Sequence, residues 1–131
     1  MAAGAVAEKW LAQAFGVEIV GWVEQVGQVG PAHVDVATVT RDRGDATEIR
    51  CPDAELAAEM AEAVAAARRD KDSVGGVVSC VCRGLPTGWG EPVFDKLDAE
   101  LGRMNGIGAV KGVEVGAGFA VKDMTGHECN D

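Results

Sequence analysis

Two glycine-broken runs of β-branched residues constrain this chain most: VEIVGWVEQVGQV at 17–29 and DSVGGVVSCVCRGLP at 72–86. β-Branched side chains suit a pleated surface, and glycine inside such a run marks a bend, a bulge or a close approach of another backbone. The first run therefore predicts a long strand bent or bulged at Gly21 and Gly27. The second predicts a strand that is apolar on both faces, with backbone approaching backbone at Gly75 and Gly76. Strands cannot stand alone, so both runs need pairing and a cover.

The cover is legible as helices. Residues 3–15 carry Val6, Trp10, Leu11 and Ala14 at helical spacing, and Gly16 follows where a C-terminal cap belongs. A second helix should start at CPDAE, capped by Asp53 behind Pro52, and run to about Asp70. Its apolar face would be Leu56, Met60, Ala63, Val64 and Ala67, with acidic residues early and Arg68, Arg69 and Lys71 late, as the helix dipole prefers. A third helix is predicted in VFDKLDAELGR, opened by Pro92, with Val93, Leu97 and Leu101 in a row and a left-handed stop at Gly102 or Gly106. AVKGVEVGAGF then alternates like a strand, while residues 30–50 form a surface excursion with a short possible strand in VDVATVT before a loop at RDRGD. The sum is an α+β or mixed α/β architecture of helices on glycine-bent strands; the pattern leaves antiparallel and parallel pairing open.

A chain of 131 residues holds one core and is read as one domain. Twelve basic against 21 acidic residues give a net charge of −9, which repels phosphate backbones and anionic lipid, so no nucleic-acid partner is expected. Glu8 and Lys9 interrupt the only candidate leader, and no apolar run reaches membrane-spanning length. Cys51, Cys80, Cys82 and Cys129 contain no CxxC, and only His33 and His127 could join them, so reduced structural thiols and no metal site are expected. Cys80 and Cys82 should share one strand face and behave as small hydrophobes. Gly116-Ala117-Gly118 leads into FAVKDMTG rather than a helix, so no phosphate cradle is read there. Glu91, Asp95, Asp98 and Glu100 read as a solvated helix face, His33 as part of a turn beside Pro31, and His127 as an exposed loop residue. No catalytic residue is assigned.

The words GEPVFDKLDAEL, AVKGVEVGAGF and TGHECND, preceded in order by GAVAEKWLAQAFGVEIVGWVEQVG, IRCPDAE and DSVGGVVSCVCRGLPTGW, resemble chorismate synthase over nearly the whole chain. The resemblance implies a β-α-β sandwich with helices packed on long antiparallel strands, of which these residues would be about half. It also implies an enzyme that removes phosphate and a proton from 5-enolpyruvylshikimate 3-phosphate by 1,4-elimination to give chorismate, using reduced FMN without net redox change. Family chains are longer on both sides, so the 131 residues read as a single partial domain, a middle segment. The family's catalytic histidines and most of its phosphate-gripping arginines would lie elsewhere, and these residues alone should be inactive.

One pair inherits a family role: the flavin-contacting residues just before Val-Lys-Gly, often Asn-Ala or Pro-Ala, correspond to Gly108 and Ala109. Gly108 leaves only a backbone contact, and MNGIGA runs one residue short of the family approach. A tight turn into a strand accounts for the same two residues, and both readings stay open. TGHECND departs from the family at His127 and Cys129, where Ser and His are common, and keeps Glu128, Asn130 and Asp131. The family implies a homotetramer in the cytosol, or in the plastid of a photosynthetic eukaryote. The alternative is a non-catalytic module that binds a partner or oligomerises through uncovered sheet, with Trp10, Trp22 and Trp89 available for contacts.

Overall fold

The computed structural model describes residues 2–129 and divides into two compact units, Met1–Leu85 and Pro86–Asp131. The first contains α1 (Ala2–Phe15), β1 (Glu18–Val26), α2 (Arg41–Asp45), α3 (Ala54–Arg69) and β2 (Gly76–Arg83). The second contains α4 (Leu97–Leu101) and two 3₁₀ segments, Gly102–Gly106 and Gly118–Asp123.

β1 and β2 pair antiparallel, from Glu18 opposite Arg83 to Val26 opposite Gly76, which resolves the question the sequence left open. The register breaks between Val23 and Gln25, so the bulged residue is Glu24 rather than either glycine. Gly21 sits within the ladder opposite Cys80, and Gly27 lies past the strand at φ 56°. The bulge has a use: the Glu24 carbonyl accepts the Ala32 N–H at 2.8 Å, and the neighbouring Val23 N–H donates to the Arg50 carbonyl at 3.1 Å. Both bonds tie the 30–50 excursion to the outer edge of β1. Within that excursion the expected strand in VDVATVT is absent, and RDRGD is the short helix α2. Arg41 holds this turn against the hairpin by pairing with Glu8 and donating to the Ile19 carbonyl at 3.3 Å.

Alternation puts Val20 and Trp22 on one face of the hairpin, and the bulge at Glu24 carries Val26, paired with Gly76, to the other, so the core is split between two clusters. Val20, Trp22 and Val26 are buried, the first two with Val39 and the last with Ala32, Cys51, Ala57 and Met60. Opposite parity puts Val78, Cys80 and Cys82 on the other face with their partners Val23, Gly21 and Ile19. There Val78 is 74% exposed and both cysteines are exposed, whereas Val23 packs against the cluster of Val26, Ala57 and Met60, so this face is open along β2 and covered at the Val23–Val26 end of β1. The expectation that Cys80 and Cys82 pack as small hydrophobes is corrected by that exposure; Cys51 is the thiol that does so.

α3 forms as its sequence dictates. The Asp53 carboxylate accepts from the Glu55 and Leu56 amides at 3.0 and 3.1 Å, satisfying two of the donors that a helix start leaves free. Asp53→Ala should therefore cost about 1 kcal/mol of stability in a urea titration followed by circular dichroism; no measurable shift would show the cap to be redundant. α1 ends as expected, with Gly16 at φ 71° and its N–H returning to the Ala12 carbonyl at 3.0 Å. Its apolar stripe is open, however, with Val6 71% and Trp10 58% exposed and Trp10 meeting Phe15 edge to face at 5.2 Å.

The second unit departs further from expectation. Only Leu97–Leu101 of the predicted third helix is α-helical; Pro92 precedes it outside the helix, and Gly102 stays right-handed at φ −57° and passes into a 3₁₀ turn. A one-turn helix with no buried residue has neither cooperative length nor packing to extend it. AVKGVEVGAGF forms no strand, because it has no hydrogen-bonding partner strand among the described residues. FAVKD, expected to be non-helical, is a 3₁₀ turn.

Candidate functional site

Gly108 and Ala109 lie in an exposed turn closed by the Val110 N–H on the Ile107 carbonyl at 3.1 Å. The left-handed residue is Ala109, at φ 71°, and not the glycine beside it. An L-residue keeps that conformation only under local constraint, so this turn is more specified than a plain approach to a strand. A Cβ at Gly108 would meet nothing within 4 Å, which leaves its backbone approachable from outside. Nearby, Val113, Glu114, Val115, Gly118 and Phe119 line a shallow groove of about 240 Å³.

The first unit has a larger groove of about 320 Å³, bordered by Glu8, Glu18, Arg41, Ile19 and Val20. Its cation is already engaged by Glu8, and Glu18 adds a second carboxylate, so the groove does not favour an anionic ligand. The same commitment runs through the chain, where six of the twelve Lys and Arg are paired with carboxylates.

Arg83 is the most fully used cation, and sequence reading did not single it out. Its guanidinium bonds the Glu18 carboxylate at 2.7 Å, the Val36 carbonyl at 2.7 and 3.0 Å, and the Val39 carbonyl at 2.7 Å. The fork clamps the 36–39 turn over the end of the hairpin. Its signal was the strand parity that places it with Ser79 and Val81 rather than with the cysteines.

His33 and His127 are exposed in separate units. Asp95 precedes α4, so the expected shared helix face with Asp98 does not form; Asp98 accepts its neighbour Ala99 N–H at 2.8 Å, and Glu100 pairs with Arg103 at 3.0 Å. The Glu128 carboxyl is held below the usual carboxylate range by the Thr125 N–H at 2.7 Å and then by the Thr125 hydroxyl at 2.8 Å. It closes a local turn, and among the described residues its hydrogen-bond donors are those of Thr125. Asn130 and Asp131 lie outside the described residues.

An antiparallel hairpin with α3 packed on it, and a unit with an open turn carrying Gly108 and Ala109, define an α+β protein whose candidate residues belong to both units. This architecture matches a solved crystal structure of chorismate synthase with a TM-score of 0.79 and 26% identity, over 98% of this chain and 42% of the other. The family model described as chorismate synthase matches residues 1–131. Curated chorismate synthases from Synechococcus elongatus and Crocosphaera subtropica are 47% and 48% identical over all of this chain. The chain belongs to the chorismate synthase family. It spans about 36% of the length of those curated relatives.

The described residues do not by themselves fit a whole flavin mononucleotide. Neither groove includes Gly108 or Ala109, both grooves carry carboxylates, and no set of unpaired cations for a phosphate lines either of them. No helix among the described residues is long and apolar enough to cross a membrane.

Proposed function

We propose that this chain is a single partial domain of a chorismate synthase, which converts 5-enolpyruvylshikimate 3-phosphate to chorismate by 1,4-elimination of phosphate. The observation that supports this reading is identity of 47–48% with curated members across every residue of the chain. Reduced FMN is the whole enzyme's cofactor, and the backbone at Gly108 and Ala109 contributes one contact to it. The assembled enzyme is a homotetramer of the cytosol, or of the plastid in a photosynthetic eukaryote.

The 131 residues tested alone should give no chorismate when supplied anaerobically with reduced FMN and substrate. The reason is chemical. A phosphorylated dicarboxylate needs clustered cations and a positioned acid and base, whereas here half of the cations are paired with carboxylates and the two histidines belong to different compact units. Product formation detected by absorbance, at a rate scaling with chain concentration, would refute this division of labour. A non-catalytic docking module, the other reading, has the open apolar surfaces of α1 and β2 in its favour. Complementation separates the two: adding the rest of a homologous enzyme should restore turnover only if the chain is a segment of the enzyme.

A further inference from the structure

The exposed face of β2 carries two thiols whose spacing is chemically selective. Cys80 and Cys82 are two residues apart on an extended strand, both are exposed, and their cross-strand partners are Gly21 and Ile19. Gly21 has no side chain, so nothing rises from β1 directly opposite Cys80. Val81 between them faces the other way, into the cluster of Val20, Trp22 and Val39. The two thiols therefore share one exposed stretch of β2, near the Glu8 carboxylate of α1.

Same-face Cβ atoms on a strand are about 6.6 Å apart, twice the rise per residue. A disulfide needs about 3.5–4.5 Å between Cβ atoms, so the pair cannot close one without breaking the ladder. A single metal ion is a longer bridge. With a metal–sulfur bond of about 2.3 Å, two thiolates on opposite sides of the ion are about 4.6 Å apart, which a lean of about 1 Å by each side chain achieves. Ions that demand three or four protein ligands are disfavoured, because no group of three or more His, Cys, Asp or Glu suited to a metal exists among the described residues. Soft thiolates select monovalent copper, and two ligands suffice for it.

We propose that Cys80 and Cys82 form a two-thiolate binding site for a soft monovalent ion, Cu(I), on the open face of the hairpin. On binding, two S–H bonds break, two Cu–S bonds form, both protons pass to solvent, and no electron is transferred. Burial first, then the neighbouring Cys82 and the Glu8 carboxylate, hold the Cys80 thiol above the ordinary thiol range.

The test is anaerobic titration of the reduced chain with Cu(I) in competition with the chromogenic chelator bicinchoninate. One equivalent should be withdrawn per chain, Cys82→Val should weaken retention at least tenfold, and Cys129→Ser should change nothing. Undiminished binding by Cys82→Val, dependence on Cys129, or a copper-bridged dimer on sizing would each overturn the site. X-ray absorption of the copper-loaded wild-type chain needs no variant: two sulfur neighbours and no third support it, and any other shell refutes it.

Discussion

Met60→Ala should lower the unfolding free energy by about 3 kcal/mol, within the range for emptying a buried Met site. Met60 is completely buried and joins α3 to Val26 of β1, to Ala32 of the loop and to Cys51 just before the helix. These elements come from separate stretches of sequence and cannot all collapse into the vacated volume, so a cavity cost adds to the lost transfer energy. Val64, one turn on in the same helix, is 40% exposed, and Val64→Ala should cost no more than about 0.5 kcal/mol. Urea titrations of the two variants followed by circular dichroism measure the difference. Equal midpoints would mean that α3 contributes no specific packing.

That contrast also shows how far the sequence is legible. Helical spacing identified α3, its cap and Met60, because these depend on period and local hydrogen bonding. It placed Val64 on the same face as Met60 and passed over Ala57, which is buried. Among the described residues the sheet is two strands wide, and the fully buried positions of α3 are confined to its first half, a limit set by its neighbours. The bulge shows the same division. Gly21 and Gly27 were the permissive positions, yet Glu24 bulges, since register belongs to both strands and to the loop that Glu24 and Val23 anchor.

Family membership was legible in the sequence, whereas the geometry of the candidate residues was not. The words around Gly108 and Ala109 locate a turn, but conformational preference would give the left-handed position to the glycine, and Ala109 holds it. The strand read in AVKGVEVGAGF has the right alternation and no partner strand, and alternation without pairing does not make a strand. Apolar residues predicted to be covered, Val6 and Val78 among them, are exposed for the same reason: a sequence states that a face wants a neighbour without supplying one.

Adjacent glycines provide the sharpest test of the hairpin. Gly76→Ala should destabilise by about 3 kcal/mol through overpacking, whereas Gly75→Ala should stabilise by about 0.5 kcal/mol through a less flexible unfolded chain. Both positions have ordinary backbone angles, so conformational strain does not separate them. Surroundings do. A Cβ on Gly76 would fall well inside contact distance of the Gln25 carbonyl oxygen, with Gln25 C and Val26 Cα at 3.5 Å; a Cβ on Gly75 meets nothing within 4 Å. The obstacle is backbone beside the Glu24 bulge, and it cannot rotate aside as a flexible side chain would. Relief requires the end of the ladder at Val26 and Gly76 to open, and with it the Gly27 N–H bond to the Gly75 carbonyl at 2.8 Å. Amide hydrogen exchange at Gly27, whose N–H crosses to the Gly75 carbonyl, should accelerate in Gly76→Ala and stay protected in Gly75→Ala. If both variants keep wild-type protection, the close approach of β1 and β2 at this end does not constrain the hairpin, and the glycine there is replaceable.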